Sequence, residues 1–97
     1  MIESFGDAAT EDFFHGLTSP RARRLLPASL VKRGLRKLDI LHAATRLGDL
    51  AGVPGNNLEQ LIGNWKGFHS IRINDQYRVC FRWKDGNAHE VQIVDYH

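Results

Sequence analysis

Residues 69–97 read HSIRINDQYRVCFRWKDGNAHEVQIVDYH, and their pairing decides the fold. Ile71 and Ile73 alternate with polar neighbours, as do Tyr77, Val79, Phe81 and Trp83, and then Val91 and Ile93. A period of two marks half-buried strands. Apolar residues must oppose apolar ones, because slipping a strand by one residue turns its whole apolar set to the other face. A three-residue loop of Asn74, Asp75 and Gln76 meets that condition, pairing Ile73 with Tyr77, Ile71 with Val79 and His69 with Phe81. A two-residue loop sets Ile71 against Arg78 and fails. Lys84-Asp85-Gly86-Asn87 is a second hairpin signal. Its apolar match sets Phe81 against Val91, Val79 against Ile93, and Arg82 against Glu90.

Upstream the period lengthens. Val31, Leu35, Leu38, Leu41 and Thr45 recur at helical spacing after Pro27, a good first helical residue, and Gly48 is the expected C-cap. This predicts one helix of about five turns. A shorter helix is expected after Asp7 or Thr10, burying Phe13 and Phe14 and ending at Gly16. The segment LTSPRARRLLP between them reads as a linker, and Met1–Phe5 as a short strand. The fold class is α+β, with two N-terminal helices packed on one face of a C-terminal antiparallel sheet. One domain, residues 1–97, suits this length.

Bulk properties narrow the function classes. No apolar run reaches a membrane span, and MIESFGDAATEDFF lacks the layout of a signal peptide. The single Cys80 permits no internal disulfide and fits a reducing compartment, so a cytoplasmic location is expected. The net charge is +2, but seven basic residues and no acid lie between Pro20 and Leu38. That block, which includes Arg33 and Lys37, suggests an anionic partner; a solvated helix face is the plainer alternative. The five histidines never adopt a zinc-ligand spacing, so neither a metal nor a cofactor is expected.

The sheet register makes a sharper statement about the face turned from the helices. Arg72 comes directly opposite Arg78, and Tyr96 projects to the same side. Like charges across a ladder repel, and neither arginine has an acid at its own level. A phosphate fits, since guanidinium forks match its oxygens; Asp75, Asp95 or the terminal carboxylate are the alternatives. His97 beside them can exchange a proton near neutral pH, Asp95 can orient it, and Tyr96 offers a hydroxyl and a stacking surface. This group suits RNA cleavage by the ribose 2′-OH, which needs no metal. A frayed tail with a chance histidine competes with it.

The stretches VPGNNLEQL, SIRINDQYRVCFRW and IVDYH resemble the HigB branch of the RelE/ParE toxin superfamily. MIESFGD and LRKLDILHAAT extend the likeness over essentially the whole chain. The resemblance implies a toxin that cleaves mRNA in the ribosomal A site. It also implies an antitoxin of the HigA type, carrying a helix-turn-helix and bringing operator DNA only through itself. Asp95, Tyr96 and His97 match the family's catalytic end, and Arg78 its phosphate-stabilising arginine, with Arg72 as companion. Some relatives carry His where Glu59 stands, so the general base is Glu59 or His97. Relatives often show Gly-Asp-Arg at Gly63-Asn64-Trp65, so a basic contact is lost or moved to Lys66. Arg72, Arg78, Lys66, Arg33 and Lys37 are the expected RNA contacts. A non-catalytic ParE-like toxin that poisons DNA gyrase is the alternative on the same scaffold, and a simple RNA- or protein-binding module is a third reading.

Overall fold

A computed structural model describes residues 1–96. Helix α1 (Ala8–Phe14) begins where the sequence indicates, with Asp7 Oδ1 accepting from the Thr10 N–H at 2.7 Å. It ends at His15, before Gly16 turns the chain at φ 75°.

The expected linker is not irregular. It contains a one-turn helix, α2 (Pro20–Arg23), started by Ser19, whose hydroxyl accepts from the Ala22 N–H at 3.2 Å. Ser19 also donates to Asp12 Oδ2 at 2.7 Å, and Arg21 Nε pairs with the same oxygen at 2.6 Å. Ser-Pro is an N-cap followed by a first helical residue, and Ala22 and Leu26 are buried beyond it.

Pro27 leads into a 3₁₀ turn (Ala28–Leu30) that continues as α3 (Val31–Ala43). The long helix does not reach Gly48. It stops at Ala43, and a separate helix, α4 (Leu47–Ala51), contains Gly48. Asp49 causes the break. Its Oδ2 accepts from the backbone N–H groups of Thr45 and Arg46, both at 3.1 Å, and so caps a new helix start. Those donors hold the Asp49 carboxyl below the usual carboxylate range. Within α3, Gly34 is buried, and a Cβ there would lie 2.5 Å from Leu26 Cδ1. The close approach of Leu26 and Phe13 to α3 therefore requires glycine.

Strands β1 (Glu59–Gln60), β2 (His69–Arg72), β3 (Tyr77–Lys84) and β4 (Asn87–Asp95) form one antiparallel sheet in that order. The β2–β3 register is the expected one: His69 opposes Phe81, Ile71 opposes Val79, and Arg72 opposes Arg78. Asn74 closes the loop by accepting from the N–H groups of Gln76 and Tyr77 at 2.9 and 2.8 Å.

The β3–β4 hairpin departs from expectation in one place. Asp85 and Gly86, at φ 53° and 77°, form a two-residue loop that pairs Lys84 with Asn87 and Arg82 with His89. Carried on unbroken, that register would face Phe81 with Glu90. A bulge between Cys80 and Arg82 absorbs one residue, and from there Cys80 opposes Gln92 and Val79 opposes Ile93. Glu90 takes φ 52° at the bulge. Arg82 is thus opposite His89 rather than Glu90, yet its Nε still pairs with Glu90 Oε2 at 2.8 Å.

One sheet face packs under the helices. Leu38, Leu41 and Leu50 meet Ile71, Val79, Phe81 and Val91, all at 0% exposure. The N-terminal segment runs parallel along β4 through bridges from Ile2 to Ala88 and Phe5 to Val91, covering that edge. The other face, turned from the helices, is partly roofed. Leu61 and Phe68 fold back over Cys80, with Trp65, Val94 and Tyr96 around them. These apolar residues have nowhere else to bury, and Gly63 and Gly67 at φ 65° and 92° give the segment its turns. Cys80 is fully buried, and desolvation pushes its thiol up to about 12, so it stays protonated.

Candidate active site

Register assembles the site. Glu59 on β1 pairs with Ser70 on β2, and Ser70 pairs with Cys80 on β3, two residues from Arg78. Arg78 therefore reaches diagonally across two strands on the face away from the helices. Its Nη1 donates to Ser70 Oγ at 3.0 Å and its Nη2 to Glu59 Oε1 at 3.2 Å. The guanidinium carbon lies 5.0 Å from the centre of the Tyr96 ring, within cation–π range. Arg78 is only 8% exposed. A buried guanidinium persists when it is paired and hydrogen-bonded, and here a hydroxyl, a carboxylate and an aromatic face hold it.

Arg72 opposes Arg78 in the ladder, but its side chain finds other partners. Its Nη1 lies 3.4 Å from Oδ1 of the fully exposed Asp75. An acid does stand by each arginine after all: Glu59 beside Arg78 and Asp75 beside Arg72. The first comes from β1 and the second from the loop, both outside the two strands whose register set the expectation. Arg72 also lines a groove with Arg33, Arg36 and Lys37 of α3.

The remaining expected residues fall in several places. Asp95 opposes Tyr77, on the opposite parity from Tyr96, and accepts from Gln76 Nε2 at 3.0 Å. Lys66 is exposed and lines a hollow of about 260 Å³ with Gln60, Leu61 and Ile62. Arg33 Nη1 reaches the Ile73 carbonyl at 3.5 Å. Lys37 is 8% exposed and donates to Asn56 Oδ1. Burial, then the nearby Arg33 and Arg36, hold the Lys37 ammonium below its usual pKa. His97 lies outside the described residues.

Two participants escaped the sequence reading. Ser70 carries the same parity as Arg72 and Arg78, so its place beside them was available from register alone. Asn56 gave no such signal, because its role depends on how the 53–57 loop meets α3. Nearby, the Arg82 guanidinium covers the Phe68 ring at 4.3 Å. His69 stacks on Phe81, with its pKa lowered by burial.

Chemically, this arrangement offers a fixed cation next to a half-exposed carboxylate and a phenol. Arginine carries five N–H donors, more than Ser70 and Glu59 engage among the described residues, and such donors suit an oxyanion. The carboxylate next to it can accept a proton.

The sequence profile of a family described as the RelE-like toxin of type II toxin-antitoxin system HigB matches residues 3–97. The toxin HigB-1 of Vibrio cholerae serotype O1 is 44% identical over 88 residues, covering 91% of this chain and 90% of that protein. The endoribonuclease HigB of Proteus vulgaris is 31% identical over 98 residues, covering 100% of both. Among solved structures, the YoeB-YefM complex from Staphylococcus aureus aligns with TM-score 0.59 at 19% identity, covering 100% of this chain and 98% of that one; it shares the fold. With a profile that spans nearly its whole length and two full-length relatives, this chain belongs to the HigB family of RelE-like toxins of type II toxin-antitoxin systems.

Proposed function

We propose that this toxin is a metal-independent endoribonuclease that cuts mRNA during translation, acting in the cytoplasm on message held in the ribosomal A site. The observation that carries the reading is Arg78, buried yet poised on Ser70, Glu59 and Tyr96. The Proteus vulgaris relative, named an endoribonuclease, supports the reaction class.

In the proposed reaction Arg78 holds the scissile phosphate and stabilises the charge that builds on its oxygens. The ribose 2′-OH gives its proton to Glu59 and attacks the phosphorus. The bond from phosphorus to the 5′-oxygen breaks, and His97 returns a proton to that oxygen. The products are a 2′,3′-cyclic phosphate and a 5′-hydroxyl, and no external oxidant or water is consumed. Tyr96 stacks on Arg78 and keeps its plane fixed, while Asp95 ties the end of β4 to the β2–β3 loop through Gln76. An antitoxin partner of the HigA type, with operator DNA reached only through it, fits the family and the toxin–antitoxin complex that shares the fold.

Primer extension on a translated message tests this reading. Induction of the parent protein should produce cuts confined to the translated region, and Arg78→Ala or His97→Ala should abolish them while folding is retained. Intact message in the parent, or full cleavage by a folded Arg78→Ala variant, rejects it.

A further inference from the structure

Three basic residues of α3 gather beside one arginine of the sheet. Arg33, Arg36 and Lys37 converge with Arg72 of β2 around a groove of about 560 Å³ that Ile40, Ile73, Asn74 and the 53–55 loop also line. Among the described residues that line it there is no carboxylate. Cations gathered without an acid in the lining repel one another; burial first, and then the charges of Arg33 and Arg36, lower the pKa of Lys37.

The groove is also built. Asn56 is fully buried and joins its two sides: its side-chain oxygen accepts from Lys37 Nζ, and its backbone oxygen accepts from the Arg72 N–H at 2.7 Å. Asn56 is itself anchored by donating from Nδ2 to the Leu50 carbonyl at 3.0 Å. Arg72 Nε is buried without a hydrogen-bond partner among the described residues. Among the described residues its carboxylate contact is to exposed Asp75 at 3.4 Å, which is long and easily exchanged.

We propose that this groove seats a backbone phosphate of RNA, a second phosphate distinct from the one at Arg78, with Arg33, Arg36 and Arg72 as its donors and Lys37 as a fixed positive charge behind them. Guanidinium forks suit phosphate oxygens, and the Asn74 amide that also lines the groove has its oxygen committed to the Gln76 and Tyr77 N–H groups, so the groove reads charge more than sequence. Because Arg72 and Arg78 are register partners, the two seats adjoin across β2 and β3. The inference rests on the reading that this chain handles RNA. The phosphate can belong to the strand being cut or to ribosomal RNA.

The exposed Arg33 and Arg36 carry the test, since replacing buried Lys37 would disturb folding. The double variant Arg33→Gln/Arg36→Gln and the single variant Arg72→Gln are titrated against two probes over a salt series. One probe is a single-stranded oligonucleotide made uncleavable by 2′-deoxy substitution at its cut site; the other is the intact ribosome. Weaker binding, with the salt slope reduced by about 0.7–1 for each lost contact, is expected. A loss seen with the oligonucleotide assigns the phosphate to the cleaved strand, and a loss confined to ribosomes assigns it to ribosomal RNA. Unchanged affinity and slope on both probes, in a protein that still cleaves message, overturns the groove alone. A loss confined to antitoxin binding overturns it in favour of an acidic protein contact. A parent protein that binds neither probe and leaves message intact defeats both this proposal and the nuclease reading.

Discussion

At the scale of single residues, Arg78 depends on shape as much as charge. Two of its N–H groups reach Ser70 and Glu59 while its guanidinium lies by the Tyr96 ring. An ammonium has three donors but no planar fork, so it cannot span both partners while lying flat against the ring. Hydrogen bonds to charged groups contribute roughly 1.5–3 kcal/mol. Arg78→Lys should therefore slow single-turnover cleavage by at least about tenfold, even though the net charge is kept. A lysine variant with the parent rate would show that only the charge matters there. Ser70 belongs to the same scale. It sits at 0% exposure with its hydroxyl committed to Arg78, so it positions the guanidinium.

Among the elements, the β3–β4 hairpin shows two local preferences in conflict. The Asp85-Gly86 loop fixes one register, and the apolar pattern of β4 demands another. The bulge at Glu90 settles it, at the expense of a left-handed backbone on a residue with a Cβ. A β-branched side chain tolerates that conformation poorly, whereas glycine adopts it freely. Glu90→Val is expected to lower stability by about 1–2 kcal/mol. Glu90→Gly should stay within about 1 kcal/mol of the parent, because it relieves the backbone and loses only an exposed ion pair to Arg82. Urea unfolding of both variants checks the order, and equal midpoints would mean the bulge carries no strain. The helix break at Ala44 has a similar origin. The apolar stripe of α3 continues past it, but the capping carboxylate of Asp49 outweighs the stripe. Periodicity reports which face a residue occupies; it does not report where a side chain five residues downstream ends the helix.

For the molecule as a whole, the join between α1 and α2 is electrostatic. Asp12 is 8% exposed and takes bonds from Arg21 and Ser19, which hold its carboxyl below the ordinary value of 3.8. Because its folded pKa is lower than its unfolded one, this group stabilises the fold above about pH 4 and loses that contribution as pH falls through the folded value. Asp12→Asn should flatten the acid limb of thermal stability below pH 4 while changing little in its shape near neutrality. A parent-like acid limb in that variant would place the titration elsewhere.

The sequence by itself determined the architecture class, the β2–β3 register and the face shared by Arg78 and Tyr96. A strand's side-chain period of two leaves only one pairing that buries the apolar set. The roof of Leu61 and Phe68, the Glu59 carboxylate beside Arg78, and the gathering of Arg33, Arg36, Lys37 and Arg72 around one groove were decided only by the tertiary structure. Those contacts join residues far apart in the chain through loops, and loops carry no periodicity from which a direction can be read.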